Sequence, residues 1–216
     1  MLVEKIYSYI VVEDNGYSPH PFFGALTLSW CKPLLRRSCA KILTQFTPQS
    51  VWLVGLSPLI KDQGNGIIFM CQVNHALSYD NYYHQYPKKR ANLTAKERVY
   101  QVGDNCYEAD SQSLLGYRQH PSLHVGEEIK KRDLSGQAVL VGKHFVYFGN
   151  NPLTLPENLQ ELRVKQGYKS NFSPDTLQAF DNLTNDYKNS ILSGTVFNRP
   201  RLWSMGDTSW QSQYLN

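Results

Sequence analysis

The sequence predicts an α+β fold: a mixed or antiparallel, partly closed sheet with helices at its flanks. Short apolar runs of strand length recur along the first half and again after residue 137, and a capped amphipathic helix begins at Ser173. No internal repeat or linker divides the chain, so residues 1–216 read as one domain with an irregular insertion around 85–137.

Lys5 to Glu13 alternates with the period of a strand: Tyr7, Tyr9 and Val11 share one face, and Ile6, Ser8, Ile10 and Val12 the other. Both faces are largely apolar, which suits an interior strand covered on both sides. Asp14-Asn15-Gly16 ends it, and Pro19 and Pro21 keep the next stretch extended. Ala25 to Trp30 is a second short strand. Leu34 to Ile42 makes a helix with Pro33 in its first turn, where the missing N–H costs nothing. Val51 to Leu56 and Ile67 to Val73 are compact apolar strands, and Lys61 to Gly66 between them predicts a hairpin-like connection.

Ser78 caps a helix running to about His84. The stretch from 85 to 137 is rich in Tyr, Asn, Gln and Lys and is expected to lie over a core face, where long loops carry function. Ala138 to Val141 and His144 to Phe148 are strands, and Gly142-Lys143 between them predicts a tight hairpin. Leu162 to Val164 adds one more strand. Ser173-Pro174-Asp175 is the clearest helix start: Ser caps, Pro takes the first position, and Asp favours the positive end of the dipole. Phe172 and Leu177 stand at the hydrophobic staple positions, and Leu177, Phe180, Leu183, Tyr187 and Ile191 continue one apolar face.

Composition is that of an ordinary globular protein, with 41% hydrophobic and 19% charged residues. A net charge of +4 permits a nucleic acid partner without requiring one. No basic-then-apolar leader and no run long enough to span a membrane is visible, so a cytoplasmic protein without a membrane partner is expected. Cys31, Cys39, Cys71 and Cys106 show no paired spacing and are expected as free thiols. His120 and His124 are four apart but lack a third ligand, and no phosphate-cradling glycine loop or serine elbow occurs, so neither metal nor cofactor is expected.

Three clusters carry candidate chemistry. Lys32, Arg36 and Arg37 surround a helix start, where guanidinium forks and free amides attract phosphate. The preceding loop, with Asn15, Tyr17, His20 and Phe22, offers groups that stack on bases and read their edges. Gly103-Asp104-Asn105 sets a carboxyl and an amide side by side, suited to a base edge or to proton transfer. Arg163, Tyr168 and Lys169 alternate cation and aromatic beside Gly167. Each cluster also has a plain structural reading: a solvated helix face, an ordinary turn, a connecting loop.

Taken together, Lys5-Ile6-Tyr7-Ser8-Tyr9, the loop Asp14 to Gly24, Cys31-Lys32-Pro33 with Arg36-Arg37, Trp52 to Gly55, Gly103-Asp104-Asn105 with Tyr107, Phe145 to Gly149, Arg163 through Phe172, and Gly206-Asp207 with Ser209-Trp210 resemble the nucleotide modification associated domain 2 family over nearly the whole chain. The resemblance implies a link to bacterial and phage systems that modify DNA bases. The chain departs from it at Ser50-Val51, where the family pattern has Gly-Asp. The order of elements is also similar to small base-reading barrels of the PUA, EVE and ASCH type, which implies a PUA-like sheet.

On that basis the expected function is recognition of a modified nucleotide or DNA base. Trp52, Tyr17 and Trp30 would stack, Asn15 and Asn105 would meet base edges, Lys32, Arg36, Arg37 and Lys169 would meet phosphate, and Arg163 and Tyr168 would also line the nucleotide site. One alternative is an enzyme that installs, processes or removes such a base, with Asp104 as general acid or base and Lys32 as charge stabiliser. Another is a structural subunit of a modification complex. Expected partners are DNA or a modified nucleotide, together with base-modification enzymes.

Overall fold

The computed structural model describes residues 1–59 and 65–214. In chain order the elements are β1 (Lys5–Ile10), β2 (Leu26–Leu28), α1 (Pro33–Ile42), β3 (Val51–Leu56), β4 (Gly66–Gln72), β5 (His75–Leu77), α2 (Tyr79–Gln85), α3 (Arg98–Gln101) and β6 (Tyr107–Ala109). They continue with β7 (Tyr117–Gln119), α4 (Glu127–Leu134), β8 (Val139–Gly142), β9 (Phe145–Tyr147), β10 (Leu153–Thr154), β11 (Tyr168–Lys169), α5 (Pro174–Asp186), α6 (Lys188–Leu192) and β12 (Thr195–Val196).

A mixed sheet runs in the order β11-β1-β3-β4-β9-β12, with β10 also paired to β4. β1 and β3 pair in parallel, from Lys5↔Val51 to Ile10↔Leu56. Parallel neighbours need a long crossover, and here it carries β2 and α1. β3 and β4 pair antiparallel. The expected hairpin connection at 61–66 lies outside the described residues as far as Gly64. The sheet is open, ending at β11 and β12, and this corrects the expectation of partial closure. The fold is therefore mixed α/β, with several sheets.

Alternation along the strands sends side chains to two separate cores. Tyr7, Tyr9, Leu53, Phe69 and Tyr147 pack with Leu35 and Cys39 of α1 on one face. On the other, Ile6, Trp52, Val54, Met70 and Val146 pack with Phe180 of α5 and Ile191 of α6. Ser173 caps α5 as its sequence predicts, accepting the N–H of Thr176, and Ser78 caps α2 by accepting from Asn81. A smaller sheet, β2-β8-β5, packs Val139 and Val141 against Trp30, Tyr79, Tyr82 and Tyr107, which forms a third core beneath the insertion.

Two further expectations are corrected. β8 and β9 do not form a hairpin: β8 joins the small sheet while β9 joins the large one, so the chain changes sheets at Lys143-His144. Glu157–Leu162 is a 3-10 helix, and no strand forms at 162–164. Its Leu159 and Leu162 are buried as a turn of helix presents them, one turn apart.

Candidate functional site

A hollow of about 380 Å³ opens where the carboxyl end of β1 meets the start of α1. Crevices at the carboxyl ends of sheet strands are where connections diverge and leave room for ligands. Its wall combines the end of β1 with the residues that follow it (Tyr9 to Glu13), the loop residues Asn15, Tyr17 and Ser18, the turn Trp30 to Pro33, and His124 with Arg132 from the insertion.

The loop is held from below. Buried Asp14 accepts the Tyr147 hydroxyl at Oδ1 and the Arg201 amide at Oδ2, and the Trp203 indole N–H donates to the Asn15 carbonyl at 2.8 Å. Gly16 has φ +88°, and a Cβ there would lie 2.9 Å from Pro200 Cγ, so only glycine fits this turn. Asn15 Oδ1 accepts the Tyr17 amide, and its side-chain N–H₂ has no hydrogen bond among the described residues.

Trp30 is fully buried and backs the aromatic wall. Tyr17 meets it edge-on at 5.0 Å, and His124 stacks on it at 4.7 Å and 19°. The partly open rings are therefore those of Tyr17 and His124. His124 Nε2 lies 3.5 Å from the buried Asp133 carboxylate and 3.4 Å from the Arg132 guanidinium. This fixes the imidazole while Arg132, about half exposed, faces the opening.

Cys31 and Lys32 turn the chain into α1 with φ of 55° and 41°, two consecutive left-handed residues that are not glycine. Each costs on the order of 1 kcal/mol or more, a cost that persists mainly where a site requires the geometry. Lys32 is the N-cap of α1 and supplies no side-chain cap, so the positive end of the helix is left without a capping partner beside the hollow. Its Nζ sits 5.3 Å from the Tyr9 ring centroid and 3.5 Å from the Gly167 carbonyl, and burial lowers its pKa. The Tyr9 hydroxyl is buried without a partner among the described residues, and burial pushes its pKa well above the usual value. Burial likewise raises the Tyr17 hydroxyl, with Glu13 adding to the effect. The arrangement offers partly open aromatic surface, two cations, and donors awaiting acceptors.

The structure brings Asn15, Tyr17, Trp30 and Lys32 to this hollow and puts other predicted residues elsewhere. Trp52 is sealed in the second core, donating to the Leu2 carbonyl and meeting Phe180 edge-on, so it has no face for a base. Arg36 is fully buried: its guanidinium donates to the carbonyls of Cys31, Ala138 and Asp133 and to Tyr79, which leaves nothing for phosphate. Asp104 is 1% exposed and accepts from Thr27, Ser29 and Tyr82; a general acid or base must reach its substrate, and this one does not. Asn105 donates to the carbonyls of Tyr82, Tyr83 and Tyr86, closing the end of α2 rather than reading a base. Arg163 binds the Ser57 carbonyl and the Asn65 side chain, and Lys169 pairs with Glu161. Arg37 is half-buried away from the hollow, and Tyr168 pairs with Tyr9 across the strands just outside it.

Sequence reasoning missed Tyr9, His124 and Arg132 as site residues. Tyr9 reads as an ordinary strand residue, and Arg132 as the end of a charge run. His120 and His124 read as a helical pair, yet His120 bonds Glu108 while His124 turns to Trp30. The expectation that the insertion covers a core face was the one available signal.

No curated protein matches the chain, and no solved structure does. The family model for nucleotide modification associated domain 2 matches residues 3–205, and the chain belongs to that family.

Proposed function

We propose that the hollow beside α1 recognises the base and phosphate of a modified nucleotide, within a nucleotide modification system of the kind the family name describes. The observation that carries this reading is the aromatic wall of Tyr17 and His124, backed by buried Trp30 and flanked by Lys32 and Arg132. The base lies against Tyr17 and His124, and the unengaged Asn15 amide donates to its edge. Lys32, Arg132 and the start of α1 receive the phosphate. An acid–base role for Asp104 is not carried forward, because its carboxyl is sealed.

Mass spectrometry of small molecules released from the purified protein, followed by titration with the compound found, tests this. A nucleotide retained by the wild type and lost from Tyr17→Ala supports it. A protein that neither retains nor binds any nucleotide or nucleoside overturns it.

A further inference from the structure

Each run of adjacent basic residues has one member turned inward. Within Arg36-Arg37, Lys88-Lys89-Arg90 and Lys130-Lys131-Arg132, the middle or first members Arg36, Lys89 and Lys130 are buried. Lys89 Nζ donates to His20 and Ala25, and Lys130 to Ser113. Lys169 is paired with Glu161, and Arg163 is occupied by Ser57. A protein that follows a nucleic acid strand presents cations in succession, neutralising about 6–10 phosphates. Here each basic cluster is interrupted, and the cations at the hollow are Lys32 and Arg132.

Size points the same way. A volume of about 380 Å³ lies near the lower end of the ~300–1,000 Å³ typical of small-molecule sites. It suits one nucleotide, and the wall is built around a single set of aromatic rings. Lys32 and Arg132, the latter also 3.8 Å from the Asp133 carboxylate, provide for a single phosphate, while the Glu13 carboxylate on the same wall disfavours a longer phosphate chain.

Resting on the nucleotide reading of the hollow, we propose that its ligand is a free nucleoside 5′-monophosphate, not a nucleotide within a DNA strand and not a triphosphate. The protein then acts on the nucleotide pool, at a point where a reaction that alters the base either supplies or consumes the monophosphate.

Calorimetric titration decides this. The probes are the deoxynucleoside 5′-monophosphates, with 5-hydroxymethyl-deoxycytidine monophosphate among them, the matching nucleosides and triphosphates, and a single strand and a duplex carrying the same base. The preferred monophosphate is expected to bind roughly 10- to 100-fold more tightly than its nucleoside, as charge-assisted phosphate contacts imply. Its log–log salt slope should be about −2 or shallower. Lys32→Gln, and Arg132→Gln at its solvent-facing position, should each collapse the ratio between monophosphate and nucleoside. A strand that binds more tightly than the monophosphate, a nucleoside that binds equally well, or a preferred triphosphate overturns the proposal; if Tyr17→Ala still weakens that binding, the base site itself stands. Absence of binding by every probe overturns both.

Discussion

The Arg36 guanidinium lies flat against Gly136: a Cβ at position 136 would fall 2.4 Å from Arg36 Cζ. Its other contacts join the turn before α1, through the Cys31 carbonyl, to the exit of α4, through those of Asp133 and Ala138. Two stretches about a hundred residues apart in sequence thus present Lys32 and Arg132 to one opening.

Replacing Arg36 by Met leaves buried carbonyls unpaired and should lower unfolding free energy by about 3 kcal/mol or more. Arg36→Lys should not restore it, because an ammonium cannot reproduce the planar fork. Gly136→Ala, which drives a methyl into the guanidinium, should also destabilise. Urea denaturation measures all of these, and an unchanged midpoint for Arg36→Met would contradict the clamp.

Tyr17 and Trp52 should separate cleanly. Tyr17→Ala is expected to weaken nucleotide binding by about 1–3 kcal/mol with little change in stability. Trp52→Ala should cost about 3–5 kcal/mol of stability while the remaining folded protein binds normally. Paired calorimetry and chemical denaturation read both effects, and the reverse pattern would return the base to Trp52.

Lys32→Gly relieves a left-handed residue and removes a cation at once. Unfolding free energy should therefore hold or rise, within about 1 kcal/mol, while affinity for a phosphate-bearing ligand falls. A variant that binds as before, or one markedly less stable, would show that the turn is unrelated to ligand.

Lys89 should give the protein an alkaline stability slope. Burial lowers its pKa from 10.5 to about 7. Between those values the unfolded chain holds a proton that the folded protein has released, so stability from this group rises with pH across the window and is absent below it. The slope is at most about 1.4 kcal/mol per pH unit. Lys89→Met removes it, so the stability of wild type relative to the variant should grow by roughly 2 kcal/mol between about pH 7.5 and 9.5. Subtracting the variant cancels contributions from buried tyrosines. A gap that stays constant or narrows counts against this assignment.

The strands and helices that position the hollow were legible because their signals are local. The alternation of Lys5 to Glu13 gives β1 its two apolar faces, and Ser173-Pro174-Asp175 starts α5. The site was only half legible. Tyr17, Trp30 and Lys32 declared themselves by composition and by their place beside a helix start. Arg36 and Asp104 carry the same chemistry in sequence, and only tertiary packing decides that both face inward. The β8–β9 hairpin failed for a related reason: Gly142-Lys143 is good turn chemistry, but β4 and β12 claim β9 for the other sheet.

The tether between Asp14 and the backbone at Arg201 sets an order of events during synthesis. β1 and α1 leave the ribosome before residues 200–203, so the Asn15-Gly16 turn lacks its support until Pro200 and Trp203 have emerged beneath it. A nascent chain halted before that point can pair its central strands while its ligand cradle is still unbuilt. Maturation of the cradle thus waits on residues 200–203.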